Sequence, residues 1–146
     1  MALKNTYTKK GVDIFGKIQK ILATSGAKRV YYDYDNAGQI MGLAFMLELN
    51  GQEYPFKMPA RIENVGYILN GLYWVDLTQS QKDQAYRVAW ANIRDWLDSQ
   101  IAMKDIGLVT LEEVFLPYLV VKGEQTLFEN MRERQFLLGV GDQANG

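Results

Sequence analysis

Apolar side chains recur at two different periods along this chain, and the change of period separates helices from strands. Between Val12 and Thr24 they lie three and four positions apart, which predicts an amphipathic helix that ends at Ser25-Gly26. Farther along, apolar and polar positions alternate, which predicts three strands, at residues 29–34, 40–49 and 52–58. Asn50-Gly51 is a typical two-residue hairpin turn, so we expect the strands to form an antiparallel meander.

Helical spacing returns after Pro59 and continues through the second half of the chain. It predicts a short helix over residues 62–70 and a long one that extends to about Asp105. Capping boxes, in which Gln or Glu follows a threonine by three positions, begin helices after Thr78, Thr110 and Thr126. Residues 118–121 are predicted as a fourth strand or an extended packing segment. The expected fold class is α+β, an antiparallel three- or four-stranded meander with helices packed on one face.

The 146 residues suit one domain, which we expect to span residues 12–138. We expect a flexible basic arm over residues 1–11 and a disordered tail over 139–146. The net charge of −1 hides an asymmetry, because residues 1–30 carry seven Lys and Arg but only one Asp. Residues 31–146 carry the other nine basic side chains and 16 acidic ones. A basic end of the domain is therefore the global feature that bears on a partner.

The chain contains no His and no Cys, which excludes a Ser-His-Asp triad and His- or Cys-ligated metals. A metal site built from carboxylates alone remains chemically possible. The segment Asp33 to Gly38 begins like a calcium-binding loop. Ala37 and Ala44, however, stand where that loop needs oxygen ligands. No apolar run approaches the roughly 20 residues of a membrane span, and the start lacks a signal-peptide core. We expect a cytoplasmic, non-enzymatic protein with no cofactor, no metal and no membrane.

A lysine-rich segment leads directly into an aromatic strand, a combination typical of surfaces that bind single-stranded nucleic acid. Cationic side chains would contact phosphates, and exposed rings would stack on bases. The predicted set is Lys9, Lys10, Lys17, Lys20, Lys28, Arg29, Tyr31, Phe56, Lys57 and Arg61. The alternative is a solvated lysine face beside tyrosines that pack within the sheet. Asp33 and Asp35 favour that alternative, because carboxylates oppose phosphate binding.

A second aromatic group, Trp74, Tyr86 and Trp90, lies before and within the long helix. Trp90 lies beside the apolar stripe, one turn after Tyr86, and exposed Trp and Tyr are favoured at protein interfaces. These three residues are predicted to form a homo-oligomer interface. Packing of most of the group into the core is an alternative that is at least as strongly favoured.

Two segments of the second half resemble uncharacterised proteins encoded by tailed phages and bacterial prophages: residues 87–102, RVAWANIRDWLDSQIA, and 110–118, TLEEVFLPY. Upstream, the resemblance includes IQKIL at 18–22, Gly26-Ala27, Tyr34-Asp35 and PFKMP at 55–59. It covers most of residues 12–131. The resemblance implies a phage protein in a bacterial host cell, and it carries no catalytic residue.

Two functions are therefore expected from the sequence. The first is non-enzymatic binding of nucleic acid, preferably single-stranded, in phage DNA metabolism. The alternative is an anti-defence protein, which would act as an oligomeric protein-interaction module on a host defence protein or would sequester a nucleotide.

Overall fold

The computed structural model describes residues 14–136 of the chain. Lys9 and Lys10, the predicted arm over 1–11 and the predicted tail over 139–146 lie outside the described residues.

Three antiparallel strands form the main sheet in the order β1-β2-β3. They are β1 (Ala27–Tyr34), β2 (Ile40–Leu49) and β3 (Gln52–Pro59). Asn50 and Gly51 connect β2 to β3 with φ angles of 53° and 84°, the positive pair that a type I′ hairpin requires. The predicted meander is thus confirmed.

Within residues 14–136, five helices accompany the sheet. They are α1 (residues 14–24 of the described chain), α2 (Ile62–Asn70), α3 (Gln79–Asp105), α4 (Leu111–Phe115) and α5 (Leu127–Glu133). Single 3₁₀ turns lie at Trp74–Asp76 and Leu116–Tyr118. All three capping boxes form, with Thr78, Thr110 and Thr126 each accepting the N–H three residues later.

The segment predicted as a fourth strand adopts both of the forms expected for it. Val120–Lys122 forms strand β4, which pairs with the two-residue strand β5 (Gln125–Thr126) in a separate small sheet. Leu119 makes one antiparallel bridge to Phe56 of β3. The main sheet therefore keeps three strands, and β4 lies beside its edge strand β3, where Pro55 has no N–H with which to pair a further strand.

Helices α1, α3 and α4 cover one face of the main sheet, which confirms the α+β class. Alternate side chains of β2, Leu43, Phe45 and Leu47, are buried there. They share one core with Ile18 of α1 and Phe115 of α4. The opposite, outer face of the sheet carries exposed or half-buried side chains on β1 and β3.

Trp90 belongs to this core, so its prediction as an exposed interface residue is wrong. Its side chain is 1% exposed, its Nε1 donates to the Ile40 carbonyl at 3.0 Å, and Phe15 contacts the ring edge-to-face. Tyr86 is half-buried, and its hydroxyl accepts the Ile40 N–H at 3.0 Å. The buried arc of α3 is broad because the helix packs both on the sheet and on α2.

Glycine at position 66 is required for close packing between α2 and the first 3₁₀ turn. A Cβ there would lie 2.8 Å from Cδ1 of Leu77 and 3.1 Å from Cε3 of Trp74. We expect Gly66→Ala to lower the free energy of unfolding by about 1–2 kcal/mol, because overpacking outweighs the gain in helix propensity. Urea denaturation measures this change.

Gly16 is the matched control, since it is exposed on α1 and a Cβ there meets no atom within 4 Å. Gly16→Ala should raise the free energy of unfolding by about 0.5–1 kcal/mol through helix propensity alone. Equal stabilisation by the two substitutions would contradict close packing at Gly66.

Candidate nucleic-acid interface

The predicted nucleic-acid set is divided between separate surfaces. Tyr31 and Lys57 lie in one row across the outer face of the sheet, because both pair with Ala44 of β2. Tyr31 is 51% exposed, and Arg29, two positions earlier, is exposed on the same face. Lys17 and Lys20 are exposed on α1, which covers the other face of the sheet. The two lysines of α1 therefore do not join the outer-face residues in one layer.

Phe56 does not belong to the outer face, and its predicted role in base stacking is wrong. It is 2% exposed, and its ring stacks on Phe45 at 5.5 Å between centroids and contacts Phe115 at 6.0 Å. Successive side chains of a strand point to opposite faces, so Phe56 and Lys57 cannot share one. Phe56 is a core residue.

Carboxylates offset the cations of the outer face. Lys28 Nζ lies 3.9 Å from Glu48 Oε2, and Lys57 Nζ lies 3.6 Å from Glu124 Oε2. Asp33 lines the same shallow depression as Tyr31, whose volume is about 210 Å³. This mixture of charges makes the outer face a weak phosphate-binding surface.

Arg61 lies in a much larger cleft of about 780 Å³ between α2, α3 and the C-terminal helix α5. Residues at helical spacing on α2 and α3 form two of its walls. One wall is formed by Arg61, Asn64, Val65 and Ile68, and the other by Ala89, Asn92, Ile93 and Trp96. Each set follows the i, i+3, i+4, i+7 pattern, which brings its members to one side of a helix.

The third side of the cleft comes from the C-terminal segment. The 3₁₀ turn at Leu116–Tyr118 places Pro117 and Tyr118 at the cleft, and Tyr118 contacts Trp96 edge-to-face at 5.8 Å. Phe128 and Arg132 lie one turn apart on α5, whose first turn is fixed by the Thr126 capping box.

The lining of the cleft is mainly apolar, with two arginines and two asparagines as its polar members. It combines the guanidinium groups of Arg61 and Arg132 with three rings, Trp96, Tyr118 and Phe128. The side-chain amides of Asn64 and Asn92 supply donors and acceptors. Among the described residues, no Asp or Glu lines this cleft.

One carboxylate lies within electrostatic range of Arg61. The Thr126 N–H donates to Glu129 and lowers the pKa of that carboxyl, and the positive charges of Lys57 and Arg61 lower it further. Glu129 is exposed on α5 and does not line the cleft.

The backbone of Arg61 is in the left-handed region, with φ 54° and ψ 44°. Non-glycine residues rarely adopt this conformation, and such strain concentrates at functional sites. Arg61 is also the N-cap residue of α2, and its side chain makes no capping hydrogen bond. The strained backbone therefore places the Arg61 side chain at the cleft. That side chain has no role in capping the helix.

Sequence reasoning identified Arg61 but not Trp96, Tyr118, Phe128 or Arg132. Trp96 also packs against the core, where its ring contacts that of Phe115 at 6.2 Å between centroids. The spacing of Phe128 and Arg132 on one helix was the available signal. Their position beside α2 depends on how α5 docks, which no local pattern encodes.

Comparison with family models, curated proteins and solved structures finds no match to this chain. The resemblance to phage and prophage proteins therefore stays a prediction. Within residues 14–136, no group of three or more Asp or Glu side chains is placed to hold a metal ion. In the same described range, no helix is both long enough and apolar enough to cross a membrane.

The strain at Arg61 can be measured separately from its charge. We expect Arg61→Gly to raise the free energy of unfolding by about 1 kcal/mol relative to Arg61→Ala, because only glycine adopts this φ without steric cost. Both substitutions remove the guanidinium, so electrostatic effects cancel in the comparison. Equal stabilities in urea denaturation would show that the left-handed backbone stores no strain.

Proposed function

We propose that this protein binds single-stranded nucleic acid, without catalysing a reaction, through the cleft between α2, α3 and α5. The observation that supports the proposal is the composition of the cleft, where two guanidinium groups and three aromatic rings converge and no carboxylate is present among the described lining residues. Cations on phosphates and rings on bases are the two interactions that hold single strands.

Each part of the lining has a role in this proposal. Arg61 and Arg132 bind phosphate oxygens, for which the guanidinium fork is suited to bidentate contacts. Phe128, the most exposed of the three rings, offers a face for base stacking. Asn64 and Asn92 hydrogen-bond base edges, which carry both donors and acceptors.

The cleft supports this function better than the outer face of the sheet does. Tyr31 is exposed on the outer face, but Lys28 and Lys57 are both paired with carboxylates there. A phosphate would have to compete with Glu48 and Glu124 for those lysines. In the phage setting implied by the resemblance, the ligand is single-stranded DNA formed during phage DNA metabolism in the host cytoplasm.

The test is fluorescence anisotropy with a labelled oligothymidine at low salt, using matched variants. We expect Arg61→Ala to weaken binding about tenfold, because a charge-assisted phosphate contact is lost. Its loss should also reduce the slope of log affinity against log salt by about 0.7. Arg29→Ala removes the same charge from the outer face and should leave the affinity within about twofold.

A second matched pair tests stacking. Phe128→Ala should weaken binding about tenfold, whereas Tyr31→Ala, on the outer face, should have little effect. If the variants of Arg29 and Tyr31 weakened binding while those of Arg61 and Phe128 did not, the sheet would be the site and the cleft proposal would be wrong. Absence of any binding at low salt would refute nucleic-acid binding altogether.

A free nucleotide presents the same phosphate and base chemistry, and the volume of about 780 Å³ lies in the range that encloses small ligands. This size favours nucleotide sequestration as the second candidate function. Competition distinguishes the two, with thymidine monophosphate added to the bound oligothymidine at equal nucleotide concentration. Weak displacement of the oligothymidine supports single-strand binding, because a strand that makes several contacts binds more tightly than one nucleotide. Full displacement supports nucleotide sequestration.

A further inference from the structure

Strand β1 forms an open edge of the main sheet, because the strand order is β1-β2-β3 and β1 pairs with β2. Each of its eight residues is exposed or half-buried. In the described chain, no backbone hydrogen bond other than those to β2 involves residues 27–34. The opposite edge differs, since Leu119 bridges to Phe56 of β3 there. An open edge of this length is able to pair with a further strand.

The hairpin turn shows which backbone groups of β1 point to the open edge. Residues that flank a two-residue turn bond each other, so Leu49 of β2 bonds to β3. Successive residues of an antiparallel strand bond to alternate sides, so Ala44 bonds to its β1 partner Tyr31. The N–H and C=O groups of Val30 and Tyr32 therefore point away from β2, toward the open edge.

The charges of β1 change sign along the strand. Lys28 and Arg29 lie at its start, Asp33 lies near its end, and Asp35 follows directly. Two copies of this strand that pair antiparallel bring the cationic start of each against the acidic end of the other. Parallel pairing would instead bring like charges together. The strand is therefore complementary in charge to its own antiparallel copy.

One register satisfies this complementarity directly. A two-fold axis perpendicular to the sheet sets one residue of β1 opposite itself, and an axis at Tyr31 sets Arg29 opposite Asp33 of the second copy. The same register sets Val30 opposite Tyr32, whose outward backbone groups would then bond each other. An axis at Arg29 or at Asp33 would set a charge against itself. The pairing of β1 with β2 is regular from Arg29 to Asp33, so this segment presents an even edge.

Both charges are available to a second copy. Arg29 and Asp33 are exposed on the outer face, and neither forms an ion pair among the described residues. Lys17 and Lys20 are exposed on α1, which covers the other face of the sheet. These lysines therefore do not lie in the row of side chains that the two strands would share.

We propose that this protein forms a symmetric homodimer through β1, in which two copies join edge to edge. The two three-stranded sheets then form one antiparallel sheet of six strands. The charge pattern selects a second copy as the partner. An unrelated acidic peptide would match the start of β1 alone, and a basic peptide would match its end alone.

This interface is not the one expected from the aromatic residues. Trp90 is buried in the core, and the Tyr86 hydroxyl is bonded to Ile40. Trp74 is half-buried against Gly66. The backbone of an edge strand, and not this aromatic group, supplies the contact.

The inference does not depend on the proposed nucleic-acid function. No residue of β1 lines the cleft between α2, α3 and α5. A substitution in β1 therefore tests the dimer without altering the lining of the cleft.

The experiment is sedimentation-velocity ultracentrifugation of the full chain over a series of concentrations. We expect the wild-type protein to reach twice its monomer mass of 16.7 kDa. Arg29→Asp and Asp33→Arg each set like charges opposite each other at two places in the dimer. Each should therefore weaken self-association about tenfold.

Mixing the two single variants tests the register itself. The Arg29→Asp variant carries acidic side chains at both positions of the pair, and the Asp33→Arg variant carries basic ones. Each position in a mixed dimer then faces its opposite charge, so the mixture should associate about as tightly as the wild type. The double variant Arg29→Asp/Asp33→Arg exchanges the two charges and should also restore the dimer.

Lys122→Asp is the matched control, because it reverses an exposed cation on β4, beside the opposite edge of the sheet. It should leave the dimer intact, and thermal denaturation followed by circular dichroism checks that every variant folds. A wild-type protein that stays monomeric at about 100 µM would overturn the proposal. A dimer that neither single variant weakens, or that Lys122→Asp weakens equally, would also overturn it. Failure of both the mixture and the double variant to associate would show that Arg29 and Asp33 do not face each other.

Discussion

The backbone of Ile40 is the point at which the sheet and the long helix are joined by directional bonds. Trp90 Nε1 donates to its carbonyl, and Tyr86 accepts its N–H, both at 3.0 Å. Burial raises the pKa of Tyr86, although the Ile40 N–H opposes that shift, so the hydroxyl stays neutral as an acceptor. Apolar packing is not directional, whereas these two bonds fix the position of α3 along β2.

A similar hydrogen bond joins α1 to the sheet, because the Tyr32 hydroxyl of β1 donates to the Phe15 carbonyl of α1. Burial raises the pKa of Tyr32 to about 12, so this donor keeps its proton throughout the physiological range. The cleft depends on the same arrangement, because one of its walls is the side of α3 that carries Ile93 and Trp96. The placement of α3 by Ile40 therefore determines where that wall stands.

Much of the fold could be predicted from the sequence, because its information is local. Periodicity identified the three strands and the helices, and capping boxes identified the starts of α3, α4 and α5. The two errors have different origins. The assignment of Trp90 failed because it depends on contacts between elements, since α3 is covered from more than one side. The assignment of Phe56 failed locally, because strand alternation places it on the face opposite to that of Lys57. The cleft itself was not predictable, since its three sides come from segments distant in sequence.

Helix α2 contributes side chains to two surfaces of the described chain, the cleft and a smaller depression of about 420 Å³. Arg61 and Val65 line the cleft beside α3, and Glu63 and Tyr67 line the smaller depression beside Trp74. Asn64 and Ile68 line both. Gly66 allows the first 3₁₀ turn to pack closely on the helix, and the left-handed conformation of Arg61 sets the direction in which the helix begins. Two backbone features of one short helix, an absent side chain and a strained φ, thus orient both surfaces.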